Sequence, residues 1–236
     1  MATTTGHTVK AFDEDLGQLR ALVSEMGGRA EAAITDALKA LTRRDLELAA
    51  RVVEEDKKID VLEAEIEKQV VRLIALRAPM ADDLREAIAA MKIASTIERI
   101  GDYAKNIAKR VAVLQDVKGI EPISILPAMG RVACDMVHQV LDAFAARDAE
   151  AAVAVADRDR TVDDFYNSIF RTLLTYMMEN PHNITASTHL LFIAKNLERV
   201  GDHATNLAEM VYFAATGEQM AERVRGQDSI PVAAGE

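Results

Sequence analysis

The sequence is poor in the residues that mark disulfide-rich, aromatic-rich or loop-rich proteins. Among 236 residues there is no tryptophan, one cysteine and five prolines, and aromatic residues make up 4%. The single cysteine, Cys134, excludes an internal disulfide and is typical of a reducing compartment, so we interpret it as a small buried apolar side chain. Alanine, leucine, valine, isoleucine and charged residues fill most positions, which indicates a helix-rich protein with almost no sheet.

Positive charge and long apolar runs are also scarce. The formal net charge is -10 and the pI is near 5.1. An acidic chain without a basic stripe repels phosphate backbones and anionic lipid, so we expect no direct binding of nucleic acid or of a membrane surface. No segment reaches the roughly 18 apolar residues that a membrane span needs, so we expect no membrane insertion. The first ten residues lack the charged and apolar regions of a secretory signal, which favours a cytoplasmic location.

Apolar residues recur at spacings of three and four between a few breakers, and this periodicity predicts six long helices. We expect the first helix from about Val9 to Arg44, followed by Asp45 as an N-cap. The second should end before Pro79, because the residue before a proline is pushed out of helical geometry. Asp82 is the expected N-cap of the third, which should run to about Asp116.

The pattern then starts again after Gly119. A shift of 103 residues places Gly27 on Gly130 and Asp45 on Asp148, and a shift of 100 aligns the third helix of each copy. A repeat of this length with three helices is one small bundle made twice. The sequence therefore predicts an all-α fold of two tandem three-helix bundles, residues 1–118 and 119–217, with a flexible C-terminal tail, residues 218–236.

Acidic side chains four residues apart occur at matching positions of both copies. On a helix such residues share one face, and like charges there destabilise it by roughly 0.2–0.5 kcal/mol per pair. A bound cation would reverse that effect, and carboxylates are the ligands that Mg, Ca, Mn and ferric iron prefer, with Zn possible. The candidate metal ligands are Asp56, Asp60, Glu98 and Asp102 in the first copy, and Asp159, Asp163, Glu198 and Asp202 in the second.

The helical pattern places these acids outside the bundle seams, in a surface groove between two helices of each copy. Gly101 and Gly201 adjoin the acidic ridges, and a glycine inside a helix costs roughly 1 kcal/mol relative to alanine. We therefore expect another backbone or a ligand to approach closely there. His203 follows Asp202, but its counterpart in the first copy is Tyr103, so we interpret it as a surface histidine.

Nearly the whole chain resembles the PhoU family of phosphate-transport regulators. The resemblance rests on segments that are listed here in order: His7-Thr8-Val9-Lys10-Ala11-Phe12-Asp13, Asp56-Lys57-Lys58-Ile59-Asp60, Glu98-Arg99-Ile100-Gly101-Asp102, Leu174-Thr175-Tyr176-Met177-Met178-Glu179 and Glu198-Arg199-Val200-Gly201-Asp202. It implies that the eight acids hold clusters of iron or zinc. It also implies repression of the phosphate-starvation response when phosphate is plentiful, as an adaptor between the phosphate ABC transporter, through its ATPase subunit, and a sensor histidine kinase. We further expect a homodimer.

One departure from the family pattern concerns the second site. Family motifs often carry an extra acid before the first aspartate, which is Glu55 in the first copy but Arg158 in the second, so we expect fewer or weaker metals there. Two other functions stay open. A metal-free helical scaffold would leave the acids as solvated faces. A carboxylate-bridged dimetal enzyme would need Glu-x-x-His motifs on helices, and the sequence has that spacing at Glu179 and His182 alone, across Pro181.

Overall fold

The structure, a computed structural model, describes residues 4–115 and 124–221, and no β-strand occurs in these ranges. The described chain forms seven α-helices and one 3-10 turn, Pro181–Asn183. The helices are α1 Thr4–Arg43, α2 Leu46–Arg77, α3 Asp82–Lys109, α4 Leu126–Ala146, α5 Ala149–Ala156, α6 Asp159–Glu179 and α7 Ile184–Thr216. The predicted all-α class is confirmed. α3 ends at Lys109 and turns follow it, so its predicted end near Asp116 is wrong; Asp116 itself and residues 222–236 of the predicted tail lie outside the described residues.

In each copy, the turn between the first and second helices consists of an arginine followed by an aspartate. Asp45 accepts a hydrogen bond from the backbone N–H of Leu48, and Asp148 accepts one from Ala151, each over 2.9 Å. These bonds satisfy a backbone donor at the start of the next helix. The residue before each aspartate is an arginine in the left-handed region, with φ of 56° and 54°. The N-cap prediction at Asp45 is therefore confirmed, and the repeat reproduces it.

The turn before α3 differs from the prediction. α2 ends at Arg77, ahead of Pro79, as expected. The N-cap of α3, however, is Ala81, which has no side-chain capping bond. Asp82 is the first helical residue and forms an ion pair with Arg85 one turn later. The prediction that Asp82 caps α3 is wrong, because φ of 49° at Ala81 already turns the chain and the aspartate faces solvent.

Three helices of each copy pack together as predicted. α1, α2 and α3 form the first bundle, while α4, the pair α5–α6 and α7 form the second. The predicted stripe of α1 from Leu16 to Leu41 is buried, and so is the predicted seam of α3 from Ile93 to Val111. Buried side chains of both bundles form one continuous hydrophobic core. None of the described helices is apolar over a length that would span a bilayer.

The two copies are related by an approximate two-fold axis. A methyl group at Gly27 of α1 would overlap Leu141 of α4, and one at Gly130 of α4 would overlap Leu38 of α1. These contacts are reciprocal, since Gly130 and Leu141 are the repeat equivalents of Gly27 and Leu38. Reciprocity of this kind is the pattern of a two-fold interface. The fold is therefore an internal pseudo-dimer, in which α1 packs against α4 and α3 packs against α7.

The second helix of the second copy is interrupted. α5 ends at Ala156 and α6 begins at Asp159, whereas the equivalent α2 is continuous. At the break the Arg158 N–H donates to the Val155 carbonyl over 3.0 Å, which is a 3-10 bond. Aspartates flank this break where α2 has Glu54 and Asp56, and aspartate has a lower helix propensity than glutamate. The fifth predicted helix thus exists as two pieces, and the second piece begins at Asp159, the first acid of a candidate site.

Candidate functional site

The first candidate site brings its four acids together between α2 and α3. Burial and then the charges of Asp102, Glu63, Asp60 and Asp56 raise the pKa of Glu98. Burial and then the charge of Asp56 likewise raise the pKa of Asp60, although Lys105 opposes this. Carboxylates raise one another's pKa in this way when they lie close together. The predicted set Asp56, Asp60, Glu98 and Asp102 is therefore one cluster, which we call the first cluster.

A lysine that the sequence analysis did not single out lies inside the first cluster. The Lys105 ammonium donates to Asp56 Oδ2 and lies equally close, 2.5 Å, to Asp102 Oδ1. Burial would lower the pKa of this lysine, but its hydrogen bonds to Asp102 and Asp56 raise it overall. The ammonium is thus charged and joins an acid of α2 to an acid of α3. The lysine was visible three residues after Asp102, a spacing that places the two side chains on one face.

Asp56 lies deeper than predicted. The sequence pattern placed it beside the apolar stripe in a surface groove, yet the residue is only 4% exposed, whereas Asp60 is exposed. The cause is Gly101. A methyl group there would lie 2.9 Å from the Ile59 side chain and 3.5 Å from Asp56 Oδ1. The predicted close approach at Gly101 is real, but side chains of α2 make it.

The second candidate site, which we call the second cluster, brings Asp163, Glu198 and Asp202 together between α6 and α7. Burial raises the pKa of Glu198, and the charges of Asp202 and Asp163 raise it further, whereas Lys195 lowers it. Asp159 is the first residue of α6, directly after the helix break. Gly201 repeats the packing of Gly101, because a methyl group there would lie 3.2 Å from Val162, the equivalent of Ile59. The same helix approach therefore builds both clusters.

One oxygen of the second cluster lacks a partner. Glu198 Oε1 accepts a hydrogen bond from Lys195 Nζ over 2.6 Å. Its other oxygen, Oε2, is buried and has no hydrogen-bond partner among the described residues. A buried carboxylate oxygen left unpaired is costly, and a cation is one way to satisfy it.

The chemistry of both clusters fits a hard metal ion. Each offers carboxylates from two neighbouring helices, and carboxylate oxygens suit Mg, Ca, Mn and ferric iron. As the side chains stand, no group of three or more His, Cys, Asp or Glu residues within 4–115 and 124–221 is arranged to hold a metal. In the first cluster Lys105 occupies the space between the acids of the two helices. Metal binding there would require Lys105 and its acids to change rotamer.

The described contacts of Arg158 do not support the expectation that it weakens metal binding at the second site. The Arg158 guanidinium donates to Gln139 Oε1 on α4 over 2.7 Å, away from the second cluster. Its counterpart Glu55 is exposed and pairs with Lys58 over 2.6 Å. Because both side chains have partners outside the clusters, the difference between Glu55 and Arg158 does not distinguish the two sites in this structure.

A contact between the two copies lies beside both clusters. Tyr103 of α3 and His203 of α7 stack, and Tyr103 Oη lies 2.9 Å from His203 Nε2. The interpretation of His203 as a surface histidine is therefore wrong, since it is half-buried between bundles and burial lowers its pKa. The repeat alignment contained the signal, because equivalent residues near a two-fold axis meet each other.

A separate groove of about 540 Å³ runs between α1 and α4. Cys134 lines it beside Thr35, with the sulfur 4.0 Å from the threonine hydroxyl. Burial raises the pKa of this thiol to about 11, so it is protonated at neutral pH. His138 Nδ1 lies 3.3 Å from Glu31 Oε2 across the same groove. Cys134 is partly buried, so its packing is less complete than the sequence suggested.

The fold and its internal duplication match those of known proteins. The family model described as "PhoU domain" matches twice, over residues 23–111 and 126–211. The chain is 61% identical over 227 residues to a phosphate-specific transport system accessory protein PhoU homolog of Zymomonas mobilis, covering 96% of each protein. It is 50% identical to the homolog of Caulobacter vibrioides, covering 92% of this chain and 94% of that protein.

Two solved structures are similar to this chain in both fold and sequence. The crystal structure of PhoU from Pseudomonas aeruginosa superposes with a TM-score of 0.83 at 38% identity, covering 88% of this chain and all of that one. PhoU from Streptococcus pneumoniae, described as a phosphate transport system regulatory protein, gives 0.83 at 31% identity, over 89% of this chain and 99% of that one. With both copies of the domain matched and similarity along nearly its full length, the chain belongs to the PhoU family.

Proposed function

We propose that this protein represses the phosphate-starvation response and phosphate uptake when phosphate is plentiful. It does so as a metal-binding adaptor between the phosphate ABC transporter, through its ATPase subunit, and a sensor histidine kinase. The observation that carries this proposal is the near full-length similarity to accessory proteins of phosphate-specific transport. The protein would act in the cytoplasm and as a homodimer.

A role in the regulation of phosphate transport follows from membership of the family. Its members are accessory and regulatory proteins of phosphate transport, not enzymes. The one Glu-x-x-His spacing gives no support to a dimetal enzyme. α6 ends at Glu179, and His182 lies in the 3-10 turn that follows, so these two side chains do not project from one helix. Regulation through protein surfaces is therefore the class of function that the chain supports.

An apolar stripe on α6 supports contact with another protein. Phe170, Leu174 and Met178 follow each other at helical spacing and are 42%, 47% and 79% exposed. Three large apolar residues side by side on a helix mark an interaction surface more often than scattered ones do. The first copy has Glu67 at the position equivalent to Phe170, so this apolar stripe belongs to the second copy alone.

The proposed metals are iron or zinc, with Mg, Mn or Ca as alternatives. Their ligands would be the eight acids of the two clusters, which supply hard oxygen donors. Bound metal would neutralise the repulsion between carboxylates on neighbouring helices and would hold α2 to α3 and α6 to α7. The outer surface formed by these helix pairs would then be more rigid where a partner protein binds.

The adaptor role can be tested by capture from cells grown at high phosphate. The full-length chain serves as bait after mild cross-linking, and the transporter ATPase subunit and the kinase are the expected prey. A variant with Leu174→Glu and Phe170→Glu is the test protein, and Val71→Glu on α2, the exposed equivalent of Leu174, is the matched control. We expect the control to capture as the natural chain does.

A deletion strain provides the second readout. We expect a reporter of phosphate starvation to be active at high phosphate without the protein and silent again on complementation. Capture of neither partner, together with an unchanged reporter in the deletion strain, would contradict the adaptor role.

A metal-free scaffold is the second candidate, and Lys105 is the observation that favours it. Its ammonium already neutralises part of the first cluster. Metal analysis of protein purified without an affinity tag or chelator separates the two. Loss of metal in a variant with Asp102→Ala and Asp202→Ala supports metal binding, and unchanged metal content supports the scaffold.

A further inference from the structure

The line along which α3 and α7 meet carries positive charge, on a chain whose formal net charge is -10. The helices run antiparallel, because Tyr103 contacts His203 while Arg110, directly after α3, contacts His189 near the start of α7. Residues at spacings of three and four share one helix face. We call positions 92, 96, 99, 103, 106 and 110, with the positions 100 residues later, the α3–α7 surface. No aspartate or glutamate occurs among them.

Four cations lie on the α3–α7 surface, and none of them has an ion-pair partner within residues 4–115 and 124–221. They are Lys92, Arg99, Arg110 and Arg199. The sequence shows no basic run here, because these residues come from both copies and meet only when α3 packs against α7. Lys92, Arg99 and Arg199 are exposed, so their charges are available to an anion from outside.

Acids border the α3–α7 surface on both edges. Asp102 lies beside it on α3, where its carboxylate is paired with Lys105 over 2.5 Å. Asp202 holds the equivalent position on α7. The positive charge therefore forms a narrow strip between two acidic edges, and such a strip fits one chain segment better than a broad anionic surface.

The middle of the strip is occupied by two equivalent arginines. Arg99 and Arg199 each lie four residues before a member of the stacked pair Tyr103 and His203. The Arg199 Cζ atom lies 5.8 Å from the centroid of the Tyr103 ring. Guanidinium groups without a carboxylate partner offer the planar donors that bind carboxylates through two parallel hydrogen bonds. The centre of the strip is thus suited to acidic side chains.

One end of the strip has an ordered arginine beside an exposed aromatic ring. Arg110 Cζ lies 4.4 Å from the centroid of the Phe192 ring, and Nη1 donates to His189 Nδ1 over 3.0 Å. Arg110 Nε is buried and has no hydrogen-bond partner in the described part of the chain. Phe192 is 49% exposed. Arginine and aromatic side chains are enriched in the centres of protein interfaces, so this end offers apolar contact as well as charge.

We propose that the α3–α7 surface binds an acidic segment of a partner protein. Charge complementarity favours this occupant, because carboxylates on one segment would pair with cations that the chain itself leaves unpaired. From position 92 to position 110 the surface is about 27 Å long, which is the length of a helix of about 18 residues. The acidic edges disfavour nucleic acid and anionic lipid, whose phosphates would extend over them.

This inference rests on the proposed adaptor role and adds a second docking surface, separate from the apolar stripe of α6. The two surfaces differ in chemistry. The α6 stripe offers apolar side chains, whereas the α3–α7 surface selects acidic residues. A change confined to one of them should therefore leave binding at the other intact.

The test measures binding of the full-length chain to overlapping synthetic peptides of about 20 residues that cover the sequences of the transporter ATPase subunit and the kinase. Fluorescence anisotropy is recorded at low and at high salt. Arg99→Glu with Arg199→Glu reverses the central charges, and Arg99→Gln with Arg199→Gln replaces this variant if it folds poorly. Arg51→Glu with Arg72→Glu is the matched control, since both arginines are exposed on α2 and have no ion-pair partner among the described residues.

We expect the natural chain to bind peptides of net negative charge, with an affinity that falls as salt is raised. Charge reversal at the two central arginines should weaken this binding by about tenfold or more, and the control should change it by less than about twofold. Peptides in which the acids are replaced by lysine should bind the reversed variant and no longer the natural chain.

Four results decide the matter. Loss of acidic-peptide binding in the reversed variant, but not in the control, supports the proposal. Equal binding by the natural and reversed chains overturns it, while capture of the full-length transporter subunit and kinase leaves the adaptor role standing. Binding of duplex DNA or of phosphatidylserine vesicles through the same arginines, with no peptide bound, overturns the assignment to a protein segment. Capture of neither full-length partner, with no peptide bound, overturns the adaptor role and this inference together.

Discussion

Tyr103 and His203 hold equivalent positions in the two copies and stack on each other, with ring centroids 5.4 Å apart and planes 9° from parallel. The Tyr103 hydroxyl also lies 2.9 Å from His203 Nε2. This pair joins α3 to α7, and each of its members directly follows an aspartate of a cluster. Contact between the bundles is thereby tied to the geometry of both clusters.

Tyr103→Phe should lower the free energy of unfolding by about 0.5–1.5 kcal/mol, because it removes the hydrogen bond and keeps the stacked ring. Urea unfolding followed by circular dichroism measures the change. Tyr212→Phe on α7 is the matched control, since the structure describes no partner for that hydroxyl. A double-mutant cycle with His203→Ala should give a coupling energy of roughly 0.5 kcal/mol or more, and additive effects would contradict the pairing.

Two adjacent glycines of α1 should respond in opposite directions to the same substitution. A methyl group at Gly27 would overlap Leu141, whereas one at Gly28 meets nothing within 4 Å. We expect Gly28→Ala to stabilise the protein by roughly 0.5–1 kcal/mol through helix propensity. Gly27→Ala should destabilise it by about 1–3 kcal/mol through overpacking. Thermal and urea unfolding check both variants, and stabilisation by Gly27→Ala would show that α1 and α4 separate more readily than their packing indicates.

The capping aspartates should matter equally in both copies. Asp45→Ala and Asp148→Ala should each lower the free energy of unfolding by about 1 kcal/mol, because each removes the bond to a backbone N–H at the start of a helix. Asp82→Ala is the matched control, since Asp82 makes no capping bond and lies in an exposed ion pair with Arg85. We expect its effect to stay within about 0.5 kcal/mol. A control as destabilising as the two cap variants would contradict the assignment.

The α6 stripe should affect partner capture and not stability. Leu174→Glu changes a side chain that is 47% exposed, so the free energy of unfolding should move by less than about 0.5 kcal/mol. Capture of the transporter ATPase subunit by the full-length chain should fall severalfold. Unfolding curves and quantitative pull-down measure the two effects. Unchanged capture with unchanged stability would place the binding surface elsewhere.

The sequence predicted the helices and the pairing of the copies because both depend on local and repeated signals. Apolar spacing located the buried face of α1 and α3, and the repeated aspartates located the caps at Asp45 and Asp148. The choice of candidate ligands rested on spacing alone, and the structure does bring Asp56, Asp60, Glu98 and Asp102 into one electrostatic neighbourhood. Whether they bind metal stays a prediction.

What the sequence did not predict depends on contacts between helices. Asp56 is buried because α2 approaches Gly101 of α3 closely. The apolar pattern of a single helix does not give the distance between two helices. The bridging position of Lys105 depends on the same approach. Stacking of Tyr103 on His203 required knowledge that α3 and α7 lie together at the two-fold axis. The break between α5 and α6 is a balance of small propensities that single-residue patterns do not resolve.

The molecule resembles a dimer whose two subunits are joined in one polypeptide chain. The reciprocal contacts of Gly27 with Leu141 and of Gly130 with Leu38 show this symmetry. In a true homodimer every substitution appears twice, so its two sites must remain identical. Here a single codon change alters one site and leaves its twin untouched. Because the two copies lie in one chain, equivalent positions can hold different residues, such as lysine at position 105 and threonine at position 205.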